Sequence, residues 1–228
     1  MIRAIITDIE GTTTSLSFVK DILFPYSRER IACFVKQHAE DPQIVSLLED
    51  VRVVAQDKHL SLEGIISQLI AWIDVDAKVT VLKSLQGILW EEGYWRGDLT
   101  SHIYPDVARN LRAWKEVGLT LYIFSSGSVQ AQKLLFSHTI AGDLTVFFSG
   151  YFDTHIGAKH DPESYQRIAE EIKILPPQIL FLSDVEAELN AAAKAGMRTI
   201  WLVREEKLIF PATHFQVQDF DSIQIDSF

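Results

Sequence analysis

One cysteine, Cys33, stands alone among 228 residues, so no internal disulfide can form. Nor does any Cys/His cluster have zinc-site spacing, and together these absences suit a reducing compartment. No apolar run approaches the roughly 20 residues needed to span a bilayer. The first residues lead straight into an apolar segment, without the basic stretch and hydrophobic region of a secretion signal. Positive charge is also scarce: 21 Lys and Arg face 31 Asp and Glu, for a formal net charge of -10. That balance disfavours nucleic acid and anionic membranes as partners, so any anion must be captured locally. A cytoplasmic monomer acting on a small molecule is the expected setting. What the chain does have is 47% hydrophobic and 11% aromatic residues, enough for a sizeable core in one large domain or a core with a subdomain. Cys33 lies among apolar neighbours in a helical segment and is expected to be buried and inert.

The opening "IRAIITDIEGTTT" sets the architecture. Ile2 to Ile6 is a short aliphatic run rich in β-branched residues, the pattern of a strand buried on both faces and ending near Thr7. Four segments of helical periodicity follow, over 18–38, 42–56, 62–73 and 77–90, with no strand candidate between them. From Pro105 the rhythm alternates. Helices are expected over 106–116, 129–138, 162–172 and 187–195, and strands over 119–124, 145–148, 179–182 and 199–203. Such alternation implies right-handed βαβ units, hence an α/β fold with a doubly wound parallel sheet covered on both faces. The helical block then reads as an insertion after the first strand. The expected division is a catalytic core of 1–14 plus 101–228 and an all-helical cap of 15–100.

Ligands of open parallel sheets bind at the carboxyl ends of the strands. The polar residues expected there are Asp8 and Glu10, Ser125 and Ser126 in "IFSSGSV", and Asp184 in "FLSDVEAEL", with Lys159 from the loop "DTHIGAKHDPESY". Period-two alternation aims Asp8 and Glu10 the same way until the chain turns at Gly11. Taken singly, each of these is a solvated turn, a helix cap or a surface lysine. Together they form a phosphate-transfer set. An aspartate is ionised at neutral pH and needs no partner base to act as a nucleophile. Its attack on a phosphate ester brings two anions together, so a divalent cation and a positive side chain must offset the repulsion. Asp8 with Asp184 can hold a hard cation, and Lys159 can neutralise nucleophile and phosphate together. Ser125 and Ser126 can donate to the equatorial oxygens, while Glu10 can protonate the leaving oxygen and later take a proton from water.

The order of these motifs resembles the haloacid dehalogenase superfamily of phosphohydrolases. It appears here as Asp8-Ile9-Glu10-Gly11-Thr12, Ser125, Lys159 and Ser183-Asp184, with Glu188 as a further acid. The usual second aspartate is a glutamate in this chain. With "GTTTSLSFVKDILFPY", "LKSLQGILWEEGYWRGDL", "IYPDV" and "GYFDTHIGAK", Glu10 narrows the likeness to the enolase-phosphatases of methionine salvage. The resemblance implies one Mg²⁺ per chain and a small phosphorylated diketone, 2,3-diketo-5-methylthiopentyl 1-phosphate, that is enolised and then dephosphorylated to an acireductone. It implies that Asp8 ligates the metal and attacks phosphorus, that Glu10 offers its backbone carbonyl to the metal, and that Asp184 completes the protein ligands. Ser125, Ser126 and Lys159 would hold substrate. For removal of the C1 proton, Glu10 is the first candidate and Lys159 the second. The helical insertion resembles the superfamily's mobile cap, with Trp90, Tyr94 and Trp95 as possible walls for a methylthio tail.

Three rivals are weighed against this reading. A phosphatase of the same superfamily with another small substrate shares every motif. A dehalogenase needs neither a metal-holding Asp184 nor an acid at Glu10. A phospho-accepting signalling module is shorter and carries its accepting aspartate on a later strand.

Overall fold

The computed structural model describes residues 1–204, 208 and 211–225. The chain divides into two compact units, one of residues 1–16 and 100–228 and one of residues 17–99.

The first unit is built on a six-stranded parallel sheet in the order β3-β2-β1-β4-β5-β6. The strands are β1 (Ala4–Thr7), β2 (Thr120–Phe124), β3 (Phe148–Phe152), β4 (Ile179–Ser183), β5 (Arg198–Leu202) and β6 (Phe215–Val217). All four residues of β1 are buried, as its aliphatic run demands of a strand flanked on both sides, by β2 and by β4. Helices of this unit are α5 (Pro105–Glu116), α6 (Val129–Ser137), α7 (Pro162–Ile172) and α8 (Glu186–Lys194). Their starts follow local chemistry: the Ser128 hydroxyl accepts from Ala131 N–H, and Asp161 accepts from Glu163 N–H beside Pro162 at the first helical position. Fully buried Tyr165, Phe181, Ile168 and Leu189 centre one core cluster of this unit.

The second unit holds α1 (Phe24–Gln37), α2 (Pro42–Val54), α3 (Leu62–Asp74) and α4 (Thr80–Arg96), preceded by a π-helical turn over Phe18–Leu23. Its own core gathers Ile31, Val51, Ile65, Leu69 and Leu85, all fully buried. Among the described residues, no helix of the chain is long and apolar enough to cross a membrane.

Several sequence expectations are corrected. Cys33 is exposed rather than buried. Buried Ile31, Phe34 and Val35 mark the inner stripe of α1 at i, i+3 and i+4, and Cys33 falls outside it. The strand expected over 145–148 is instead a 3₁₀ turn at Thr145–Phe147 leading into β3. Asp143 accepts from both the N–H and the hydroxyl of Thr145 and so starts a turn there. Helix α4 begins later than expected and continues past Trp90 to Arg96, stopping at Gly97 with φ +78°. Strand β6 arises in a tail that carried no sequence signal; Val203 N–H donates to Val217 O beside it.

Candidate active site

Strand register places the chemistry on one edge. Thr7 is level with Ile123 of β2 and with Leu182 of β4, so Asp8, Phe124 and Ser183 emerge together at the carboxyl ends. The chain then folds back at once. The N–H groups of Thr12, Thr13 and Thr14 all converge on the carbonyl of Ile9, and Gly11 takes φ +71°. This bend begins at Ile9, earlier than the expected turn at Gly11, because one carbonyl collects three donors there. As a result Asp8 is buried and Glu10 is exposed.

Asp8 Oδ1 accepts from its neighbour's amide, Ile9 N–H, at 2.8 Å and from Lys159 Nζ at 2.6 Å. Asp8 Oδ2 faces the Ser183 hydroxyl at 3.5 Å, beyond a strong hydrogen bond. The Lys159 ammonium also donates to Glu188 Oε2 at 2.7 Å, and Ser183 Oγ donates to the same oxygen at 3.0 Å. Lys159 and Asp8 are both nearly buried, with side chains 10% and 7% exposed. Burial disfavours the charge on Lys159, but Asp8 and then Glu188 outweigh it and hold the ammonium above the usual lysine range. Burial and then the charge of Asp8 push Glu188 upward, with Lys159 and the Ser183 hydroxyl opposing.

Asp184 lies directly after β4. Burial first, then the charge of Asp8 and more weakly that of Glu10, push its carboxyl up to about 7. Its Oδ1 is buried and finds no hydrogen-bond donor among the described residues. Its Oδ2 packs so closely on Gly11 that a Cβ there would collide with it. Among the described residues, no three His, Cys, Asp or Glu side chains gather into a metal-holding group. A divalent cation nevertheless fits: two clustered carboxylates, one with an orphaned oxygen, supply hard donors, and a backbone carbonyl, waters and substrate oxygens are the usual remainder of a Mg²⁺ shell.

Ser125 follows β2 and is buried, its hydroxyl accepting from Gly127 N–H at 3.2 Å. Ser126 is exposed. Lys159 Nζ lies 5.8 Å above the ring of Phe124, the residue before Ser125, which sets the lysine beside the serine loop. Gln132 Nε2 donates to Gly127 O and Phe152 O, and Asp153 accepts from Val129 and His155 N–H, so α6 and β3 fix that loop and the start of the lysine loop.

Comparisons with known proteins give the family. A sequence profile for haloacid dehalogenase-like hydrolases matches residues 2–196. A protein named enolase-phosphatase E1 from Methylococcus capsulatus is 56% identical over 224 residues, 98% of each chain. Another of that name from Sulfurihydrogenibium sp. is 52% identical over 227 residues, 99% of each. The chain belongs to the enolase-phosphatase family of haloacid dehalogenase-like hydrolases. The family fold recurs in the UTR4 protein of Saccharomyces cerevisiae, with a TM-score of 0.85 and 30% identity over 98% of this chain and 100% of that one. CbbY from Rhodobacter sphaeroides, solved with phosphate, shares the fold alone, with a TM-score of 0.61 and 16% identity over 97% and 96% of the two chains.

The structure also gives contacts to groups that the sequence left without a role. Glu188 is not merely a further acid but one of two carboxylates on Lys159. Arg204, 6% exposed, donates through Nε and Nη2 to Thr12 O and through Nη1 to Asp106 Oδ2, bracing the bend after Asp8. It lies in a tail without a motif, and only the fold returns it to residue 12. In the helical unit, Tyr94 is buried, Trp90 Nε1 donates to Leu23 O and Trp95 is 75% exposed, so three aromatics close in sequence have three different surroundings.

Proposed function

We propose that the chain converts 2,3-diketo-5-methylthiopentyl 1-phosphate to the acireductone 1,2-dihydroxy-3-keto-5-methylthiopentene and phosphate, as the enolase-phosphatase of methionine salvage. The observation that carries this reading is the buried Asp8–Lys159 pair at 2.6 Å beside Asp184, in a chain about half identical over its length to proteins named enolase-phosphatase E1.

Asp8 is assigned as the nucleophile. Its carboxylate forms a bond to phosphorus as the bond from phosphorus to the C1 oxygen breaks, and Glu10 gives that oxygen its proton. Glu10 then takes a proton from a water that attacks the aspartyl phosphate, releasing phosphate and restoring Asp8. Lys159, Ser125 and Ser126 hold the phosphoryl oxygens. Mg²⁺, one per chain, would be held by the carboxylates of Asp8 and Asp184 and the backbone carbonyl of Glu10; when bound it neutralises the charge gathered between nucleophile and phosphate. For enolisation the choice falls on Glu10. Lys159 is held as an ammonium by two carboxylates and so is a poor base, whereas Glu10 is an exposed carboxylate. Catalysis is assigned to the unit of residues 1–16 and 100–228. A monomer in the cytoplasm, with neither nucleic acid nor membrane as partner, is the setting that the net charge of -10 supports.

Turnover of the diketone phosphate is to be measured beside a panel of sugar and nucleoside phosphates, with enolisation followed by ultraviolet absorbance. Preference for the diketone phosphate is expected. Faster turnover of any panel member would overturn the substrate assignment while leaving the phosphatase chemistry intact.

A further inference from the structure

The N-terminal half of α7 reaches back toward the loop that carries Lys159. Tyr165 OH donates to the main-chain carbonyl of Lys159 at 2.7 Å, Ser164 Oγ donates to Ala158 O at 2.8 Å, and Arg167 Nη1 donates to Ile156 O at 3.1 Å. Three side chains within four residues thus bind three carbonyls of one short loop. The loop needs such bracing because it has no regular structure of its own between β3 and α7, and Gly157 within it sits at φ +141°.

Tyr165 is the centre of this arrangement. Its side chain is fully buried, and its ring meets Phe124 edge-on at 5.5 Å and Phe181 edge-on at 5.0 Å. Phe124 ends β2 immediately before Ser125, and Phe181 lies in β4 two residues before Ser183. One ring therefore packs on the strand ends that present Ser125 and Asp184, while its hydroxyl holds the residue that presents the ammonium. In an apolar slot a phenylalanine would avoid burying a hydroxyl, which is costly without a partner; the phenol is accommodated because Lys159 O accepts from it.

We propose that Tyr165 is a positioning residue for the phosphate-binding ammonium: through its hydrogen bond to Lys159 O it sets where Nζ lies relative to Asp8. The proposal rests on the reading of Lys159 as a phosphate-holding group. Loss of the bond in Tyr165→Phe leaves the ring contacts in place but releases the lysine backbone, so phosphate affinity and turnover should fall beyond the stability that one lost hydrogen bond costs.

The test is a double-mutant cycle on the Mg²⁺-loaded enzyme with Tyr165→Phe, Lys159→Gln and both together, reading inorganic phosphate affinity by calorimetry and kcat/KM with the diketone phosphate. Ser164→Ala is a second variant on the same loop. Tyr165→Phe is expected to weaken phosphate about 3- to 10-fold, the value of one hydrogen bond, and to do nothing further once Lys159 is Gln. Ser164→Ala is expected to give a smaller loss with the same dependence on Lys159. Equal losses from Tyr165→Phe in both backgrounds, or none in the parent, would overturn the positioning role. Unchanged phosphate affinity in Lys159→Gln alone would instead overturn the reading of Lys159 on which the proposal stands.

Discussion

At the residue scale, the pairing of Asp8 with Lys159 is an arrangement that folding alone does not favour. Taking an ammonium and two carboxylates out of water costs several kcal/mol per ion by general estimates, so a core chosen for stability would replace them with apolar groups. What the arrangement supplies is a positive charge fixed at the carboxylate proposed to attack an anionic phosphate. Glu10 has the opposite character, exposed and one bend away, as a group must be to exchange protons with both substrate and water. Glu10→Gln keeps the backbone carbonyl and removes the proton carrier. Hydrolysis of the aspartyl phosphate is expected to slow by about 10²- to 10⁴-fold, measured by single-turnover phosphate release. Hydrolysis as fast as in the parent would remove Glu10 from the proton pathway.

At the scale of elements, much was legible. A short β-branched aliphatic run followed by Asp8 reads as a buried strand ending in an acid, and the Ser125, Lys159 and Asp184 motifs each sit where a βαβ rhythm turns. What was not legible depends on tertiary return. Glu188 reads as one more acid on a helix until α8 brings it to Lys159, and Arg204 reads as tail until it reaches Thr12 O. Tyr165 has the spacing of a core residue and is one, but periodicity is silent about its hydroxyl. Strand β6 is three residues long, with one polar residue between two apolar ones, too short for alternation to reveal. Gly11 gives the element-scale prediction. It sits at φ +71° with Asp184 Oδ2 where a Cβ would go, so Gly11→Ala meets backbone strain of about 1 kcal/mol and a clash with the carboxylate proposed to hold Mg²⁺. Mg²⁺ affinity measured by calorimetry is expected to fall by about tenfold or more, since each 1.4 kcal/mol is a factor of ten. Unchanged affinity would show that the bend adapts without moving Asp184.

At the scale of the whole molecule, the site bears on stability through pH. Asp184 has its folded pKa raised to about 7 from 3.8, and Glu188 is raised in the same direction. Between those limits the folded chain binds a proton that the unfolded chain has released, so the metal-free protein loses stability as pH rises from about 4 to 7. A divalent cation reverses the sign, because it favours the ionised carboxylates. Thermal midpoints of the metal-free protein are expected to fall between about pH 4 and 7 more steeply than those of Asp184→Asn, and with Mg²⁺ the parent's midpoints are expected to rise with pH instead. A parent curve that parallels Asp184→Asn without metal would contradict the linkage.

The central claim is that Asp8 itself takes the phosphoryl group, and trapping it tests that claim most directly. Mg²⁺-loaded enzyme is mixed with the diketone phosphate, quenched in acid within a turnover, digested and read by mass spectrometry. A phosphoryl group on the peptide containing Asp8 is expected in the parent, longer-lived in Glu10→Gln and absent from Asp8→Asn, whose phosphate release should be abolished while its fold is retained. Full turnover with no phosphoryl group at Asp8, or phosphate release persisting in Asp8→Asn, would contradict it.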